Sequence, residues 1–476
     1  MKYNFIHLGC NSNRADSDRM RNELVNAGAL ETTSHQDADL TIIMTCGFTT
    51  ERQVESLREI KAAVQNQLGR RVVVSGCLPD INEGSLQGLG DFQVLRPRQI
   101  GEPDLIAKLW PAFRGQAERQ PAIAADRPLH RVRVSRGCMG KCSFCAIPRA
   151  TGPLASRPAS DIYDEVSRIV GAGGRKILLA GEDVGAYGRD QNSSLGALLE
   201  LLLSIHGEFE LVVESINPQW LGLLLDEFPC LVSEPRISRR WYVPVQAGSD
   251  HLLRIMRRPY NVARAASSLH RLRELRPDLY LISDVIVGHP GETHQDLLAS
   301  AHFLDRHQID YAEIMRFNAH PGTAASALPD QISAAEAQLR AEYLVLVFIR
   351  TLIEKATRAG ATRLSTDFAR HGTLPINTNI DFASLPSYIR LAAANYESPT
   401  EGTRTIHDDV SGRSMLQSET GRLLLNEMRI TCGQFNLTPQ FFSQLIRKMP
   451  QPKAVALAFP DQAATGGNAG RRNLEV

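Results

Sequence analysis

Residues 133–148 read RVSRGCMGKCSFCAIP, and the reading of the whole chain starts from this stretch. Cys138, Cys142 and Cys145 fall within eight residues, on a Gly-containing loop. Three thiolates at that spacing can wrap one cubane iron–sulfur cluster, ligating three irons and leaving the fourth open. A zinc loop would want a fourth protein ligand, and none follows at suitable spacing. Just upstream, Arg131–Ser135 reads as a strand, so the cysteines sit at its C-terminal end.

Five further strands are predicted downstream, at Lys176–Ala180, Phe209–Ser215, Trp241–Gln246, Leu279–Val287 and Tyr311–Phe317. Helical stretches such as Ala159–Ala172 and Ser194–Ile205 separate them. Six βα units imply a partial (β/α)6 barrel over 130–330, open on one side, with its chemistry at the C-terminal strand ends. Upstream, residues 1–114 also alternate. Strands at Tyr3–Leu8, Leu40–Thr45 and Arg71–Ser75 flank helices at Asp16–Asn26 and about Thr50–Leu68. That pattern predicts a flavodoxin-like parallel sheet, and the chain is of the α/β class. Residues 115–129, rich in Ala, Gln and Pro, read as a linker. A capping box, Ser333-x-x-Glu336, opens a helix to about Arg358 within a mixed C-terminal extension, 331–450. Residues 451–476 are expected to be disordered.

The cysteine spacing, Phe144 before the last cysteine and the barrel behind them resemble the radical S-adenosylmethionine (SAM) superfamily. The resemblance implies a [4Fe–4S] cluster whose open iron chelates SAM, and an electron through the cluster that releases a 5′-deoxyadenosyl radical. It places SAM contacts at strand ends: Gly181, Glu182 and Asp183 after the second strand, and Gln246 at the end of the fourth. Asp284, Ile286 and Gly288 follow on the fifth, and Phe317 on the sixth.

A second cysteine trio lies in the N-terminal domain. Cys10 follows the first strand, Cys46 ends the second and Cys77 closely follows the third. All three therefore fall on the edge where open α/β sheets bind ligands, which suggests a second cluster whose open iron carries exogenous sulfur. The segments GCNSNRADSDRM, MTCGFTTERQVES and SGCLPD resemble the three cysteine motifs of the methylthiotransferase family. GEDVGAYGRD, VPVQAGSDHLLRIMRRPYN, SDVIVGHPGET and RFNAHPGTAAS in the barrel are similar to further signatures of it. The similarity covers about residues 3–350. That family includes enzymes that modify tRNA adenosines and one that modifies an aspartate of a ribosomal protein. The resemblance implies two [4Fe–4S] clusters, held by Cys10, Cys46 and Cys77 and by Cys138, Cys142 and Cys145. It also implies one SAM that methylates a sulfur of the auxiliary cluster and a second that yields the radical.

Three departures from the family stand out. Met44 replaces an Asn before the Thr-Cys pair, and Thr151 replaces an Arg before Gly152. The small terminal β-barrel that grips substrate in the family is not legible in residues 361–448. Formal net charge is +1, from 53 basic and 52 acidic residues, which argues against a broad footprint for nucleic acid. Nine Lys/Arg against eight Asp/Glu between Gly360 and Pro450 give no basic surface there either. The expected substrate is accordingly a small molecule or peptide, with tRNA or a ribosomal protein as the alternative. A flavodoxin or ferredoxin is expected to supply electrons. No apolar run is long enough for a membrane span, and the start does not read as an export signal, so a cytoplasmic protein is expected. Cys230 and Cys432 stand alone and are expected to be buried structural thiols.

Overall fold

The computed structural model describes residues 1–34, 37–65, 71–100, 105–111, 127–358 and 376–378, together with 419 and 423. The expected disordered tail, most of the linker and nearly all of the extension beyond Arg358, including Cys432, lie outside these residues.

The N-terminal domain runs β1 (Lys2–His7), α1 (Asn11–Asn26), β2 (Leu30–Glu31), β3 (Leu40–Thr45), α2 (Thr50–Gln65), β4 (Arg71–Gly76), α3 (Leu78–Ile81), β5 (Gln93–Val94) and α4 (Leu105–Leu109). The strands form one parallel sheet in the order β2-β1-β3-β4-β5, the flavodoxin-like order. β3 is buried throughout, because helices cover both faces of a parallel sheet. Its alternate residues feed different cores. Ile42 and Met44 pack with Tyr3, Met20 and Leu24, whereas Ile43 packs with Ile60, Val72 and Val74. Met44 is therefore a core residue, fully buried.

The second domain runs β6 (His130–Arg133), β7 (Ser135–Arg136), α5 (Ile147–Thr151), β8 (Ala155–Ser156), α6 (Ala159–Gly171), β9 (Lys176–Ala180), α7 (Leu195–Leu203), β10 (Glu210–Val213), α8 (Pro218–Glu227), β11 (Arg240–Tyr242), α9 (Asp250–Ile255), α10 (Val262–Leu275), β12 (Tyr280–Val287), α11 (His294–Arg306) and β13 (Tyr311–Arg316). β6, β9 and β10 pair in parallel, as do β11, β12 and β13. The bridge Ser215–Tyr242 and the Ile216 N–H donating to the Tyr242 carbonyl join the two groups. The six strands thus run in chain order around an open barrel with one continuous core.

The helix α12 (Ala334–Arg358) follows, and its Ser333 hydroxyl accepts from the Glu336 N–H as the capping box requires. β14 (Ile376–Thr378) then adds a parallel strand outside β13. The sequence reading did not foresee β14, a three-residue strand too short to show a period. Cys230 corrects an expectation, since it is exposed rather than buried.

The N-terminal domain touches both ends of the barrel's strand order. On the β6 side, Asn11 Nδ2 donates to Glu214 (3.2 Å), and Arg131 Nε donates to Asn11 Oδ1 (3.2 Å). Beyond β13, the Thr50 hydroxyl donates to Asn318 (3.1 Å), and His320 Nε2 lies 3.0 Å from the Phe48 carbonyl.

Gly76, which ends β4 before Cys77, is the tightest point of the sheet edge. Its φ is +91°, and a Cβ there would stand 2.2 Å from the Thr45 carbonyl oxygen. Gly76→Ala should destabilise the protein by roughly 3 kcal/mol, from left-handed strain and overpacking. The measurement is the urea midpoint, and an unchanged midpoint would refute this account of the turn.

Candidate functional site

Cys10 is the N-cap of α1, a helix of 16 residues that starts five residues earlier than the sequence suggested. The missed turn, Asn11-Ser12-Asn13, is buried but polar, so it gave no apolar period. Its Asn13 and Ser12 N–H groups face the Cys10 thiol, and a helix N-terminus favours thiolate. Burial nevertheless pushes the Cys10 thiol up. The same cause raises Cys46 to about 11 and Cys77 well above its ordinary value, with Cys10 the next contributor at Cys77. Cys46 adds to the shift at Cys77 as well. The three sulfurs therefore share one desolvated space. Asn13 ties their loops together: its Nδ2 donates to the Thr45 carbonyl (3.2 Å), and its side chain lies 3.9 Å from Cys77 Sγ. Sequence reasoning missed this residue. An Asn three positions after a cysteine was the available signal.

The second trio is held as firmly. Burial raises Cys138 to about 11 and Cys145 to about 12. Gly140 donates its N–H to Cys138 Sγ (3.1 Å), and a Cβ on Gly140 would fall 3.2 Å from Cys138 Sγ and 3.6 Å from Cys142 Sγ. Arg258 Nη1 donates to Cys142 Sγ at 3.0 Å. Arg258 lies in the quoted RRPYN segment, yet its role was not legible there. Ser143 is anchored by its N–H to Met256 (3.0 Å), its carbonyl to Ala325 (2.7 Å) and its hydroxyl beside His289 Nε2 (3.1 Å).

The donor chemistry fits clusters: two trios of thiols, of which Cys77 is buried, Cys10 exposed and the other four half-buried, each trio with N–H donors aimed at sulfur. Among the described residues no three His, Cys, Asp or Glu side chains meet closely enough for a single metal ion. The two trios adjoin, because Cys77 and Ile81 pack against Ala146 and Ala150 of the other cysteine segment. A cleft between the domains is lined by Phe48 and Thr49, next to Cys46, and by Phe144, Ile286, Met315 and Phe317.

The remaining candidates divide. Ile286 and Phe317 face that cleft with Phe144. Gln246 is buried in a left-handed conformation (φ +74°), and its Oε1 has no hydrogen-bond partner among the described residues. The neighbouring Asp284 accepts from the Tyr242 hydroxyl (2.7 Å), which is also 3.0 Å from Glu313. Burial and the Glu313 charge hold Asp284 well above the usual carboxylate range. Gly288 shapes a turn (φ +75°) and donates its N–H to Glu292 (2.6 Å). Gly181 abuts Ser135, where a Cβ would stand 2.8 Å from Oγ. The Asp183 carboxylate, raised to about 6 by burial, accepts from Trp220 Nε1 (2.8 Å) and the Asn217 N–H (3.3 Å).

Glu182 ties the end of its strand to the cysteine loop. It accepts from Arg133 (2.7 Å) and from the Gly137 N–H (2.8 Å), the residue before Cys138. Arg133 in turn lies 3.3 Å from Asp16 of α1, which also takes two hydrogen bonds from Arg136 (2.7 and 3.1 Å). This buried chain of charges runs from the Cys10 helix to the Cys138 loop.

Residues 132–304 match the radical SAM superfamily, and residues 2–94 match an uncharacterized protein family, UPF0004. A probable threonylcarbamoyladenosine tRNA methylthiotransferase of Archaeoglobus fulgidus is 33% identical, covering 68% of this chain and 77% of that protein. A ribosomal protein uS12 methylthiotransferase, RimO, of Pectobacterium atrosepticum is 32% identical, covering 69% and 77%. Among solved structures, the cobalamin-dependent SAM radical enzyme OxsB shares the fold at a TM-score of 0.53 and 12% identity, covering 94% of this chain and 83% of that one. Fold, cysteine loop and matched superfamily together define a radical SAM enzyme. Within that class, the chain belongs to the methylthiotransferase family. Its cofactors are SAM and [4Fe–4S] clusters. The relatives overturn the expectation of a small-molecule or peptide substrate, because they act on tRNA or a ribosomal protein. The charge count behind that expectation covered a region outside the described residues, and bulk balance says little about a local patch. No helix among the described residues is long and apolar enough to cross a membrane.

A pH test follows from His7, behind the Cys10 loop. Its Nδ1 lies 3.0 Å from the Ser17 hydroxyl and its Nε2 3.0 Å from the Gly9 carbonyl. Burial, then Arg14, pushes its pKa from 6.5 down to about 3. The folded form keeps it neutral while the unfolded chain protonates it, so its stabilisation is complete above 6.5 and lost as pH falls toward 3. The slope from this one group is at most about 1.4 kcal/mol per pH unit. His7→Gln should flatten the fall in unfolding free energy between pH 6.5 and 5, and an unaltered slope would refute the assignment.

Proposed function

We propose that this enzyme replaces hydrogen by a methylthio group at an unactivated C–H bond of a translation component, a tRNA or a ribosomal protein. The observation that carries the reading is the meeting of two cysteine trios, from different domains, beside one cleft. Cys138, Cys142 and Cys145 would hold the cluster that binds SAM, and Cys10, Cys46 and Cys77 the cluster that presents sulfur. When bound, these groups supply a SAM-derived radical that removes a substrate hydrogen, and a sulfur to take its place. The chain's own residues do the positioning. Arg258 and Gly140 donate to the first trio's sulfurs, and Asn13 ties the loops of the second. Ile286 and Phe317 line the cleft on the barrel side, and Gln246 and Asp284 would meet SAM beside them. Gly181, Glu182, Asp183 and Gly288 shape and brace its strand-end loops. Phe48 and Thr49 bring the second trio's domain to the same opening.

The two named relatives point to different substrates, and mass spectrometry of tRNA nucleosides and of ribosomal protein, with and without the gene, tells them apart. A single methylthio gain on one of the two is expected, and no change on either would overturn the proposal. Reconstituted protein should hold about eight irons per chain. Replacing Cys138, Cys142 and Cys145 by Ala should remove about half and all SAM cleavage. Replacing Cys10, Cys46 and Cys77 should remove the other half and leave 5′-deoxyadenosine formation. Full iron in both variants would show the ligands to be misassigned.

A further inference from the structure

One phenol in the barrel serves two carboxyl groups. The Tyr242 hydroxyl, on β11, lies 2.7 Å from Asp284 Oδ2 and 3.0 Å from Glu313 Oε2. A phenol carries a single O–H, so it donates to only one of these oxygens. The other contact is a hydrogen bond only where the carboxyl on that side is protonated and donates to the phenol oxygen. Two bare carboxylates so close would also repel, which keeps a proton on one of them. Burial and the Glu313 charge raise Asp284 in the same sense. Strand register places the group: Asp284 pairs with Glu313, and Ile286 with Met315. Side chains two apart share one face of a strand, and Ile286 and Met315 line the cleft. The two carboxyls therefore form the layer just beneath the cleft wall. Asp284 Oδ1 and Gln246 Oε1 are buried there with no hydrogen-bond partner among the described residues, a costly state for acceptors that nothing meets. The other titratable groups facing the pair are Tyr280, Tyr311 and Arg240, the last ion-paired with Glu214 (3.8 Å).

We propose that Tyr242 and Glu313 keep Asp284 protonated while no SAM is bound, and that Asp284 gives up this proton to meet the positively charged sulfonium of SAM. This rests on SAM lying beside Asp284 when bound. The proton passes from the Asp284 carboxyl to solvent, the carboxylate left behind faces the cation, and no other bond is made or broken. The unloaded barrel thus avoids two buried carboxylate charges, and the loaded one gains an ion pair in their place. S-Adenosylhomocysteine, the neutral thioether left once a methyl group has been transferred, brings no charge to offset ionisation. The pair therefore favours fresh SAM over the spent form. Tyr242 and Glu313 are positioning residues, since they act only through Asp284.

The test is infrared difference spectroscopy on the full-length, cluster-loaded protein, where a protonated carboxyl gives its own carbonyl band, shifted in deuterium oxide. Adding SAM should remove one such band from the wild type, and adding S-adenosylhomocysteine should leave it in place. Asp284→Asn should lack the band and lose about tenfold in its preference for SAM over S-adenosylhomocysteine. Glu313→Gln should lack the band before SAM is added yet keep that preference, a split that a merely structural role for Glu313 does not produce. A wild-type band that survives SAM, or that vanishes equally with both ligands, would overturn the proposal, as would a band retained in Asp284→Asn. Failure of SAM to bind protein carrying its full iron would instead sink the placing of SAM in this barrel.

Discussion

The ion pairs that Arg133 makes with Asp16 and Glu182 fix where the two cysteine trios stand relative to each other. Asp16 belongs to the helix that Cys10 caps, and Glu182 ends a barrel strand and holds the backbone just before Cys138. All three side chains are at most about a tenth exposed. Charges so buried lose hydration that their mutual attraction only partly returns, and removing one partner costs about 3–5 kcal/mol. Such an arrangement contributes less to net stability than to register. It makes one docking of the sheet domain on the barrel far better than its neighbours. The polar start of α1 then follows as a consequence, since Asn11 there meets Glu214 and Arg131 of the barrel.

Six cysteines with buried surroundings carry an energetic implication. Five of the thiols are raised, chiefly by burial, so the metal-free protein resists forming the thiolates that iron requires. Metal binding then drives deprotonation, and the cluster's binding energy becomes part of folding energy. N–H groups of Ser12 and Asn13 at Cys10 and of Gly140 at Cys138 lower that cost locally. Arg258 donates to Cys142 Sγ across a long sequence separation, joining the cysteine loop to the far side of the barrel.

Much of the fold was legible because its signals are periodic. Buried parallel strands such as LTIIMT and RVVVSG announce themselves, and the cysteine trios fall where strands end. The parts that escaped are polar and tertiary. Asn11, Ser12 and Asn13 form a buried polar turn, Asn11 against the barrel and Asn13 against Thr45 and Cys77, so no amphipathic stripe marks it. The bonds of Glu182 to Arg133 and Gly137 are tertiary and leave no mark in the sequence. Arg258 and Asn13 act on sulfurs that only the folded chain brings near. Substrate was the least legible feature, because a balanced charge count averages over whatever local surface meets the partner.

The central claim is that the two clusters face one another across the domain junction, close enough to serve one substrate. Pulsed electron paramagnetic resonance on the fully reconstituted protein, with both clusters reduced, tests it most directly. The account predicts a resolved magnetic interaction between the two centres, absent when either trio is replaced by alanine. A spectrum equal to the sum of two isolated clusters would contradict it.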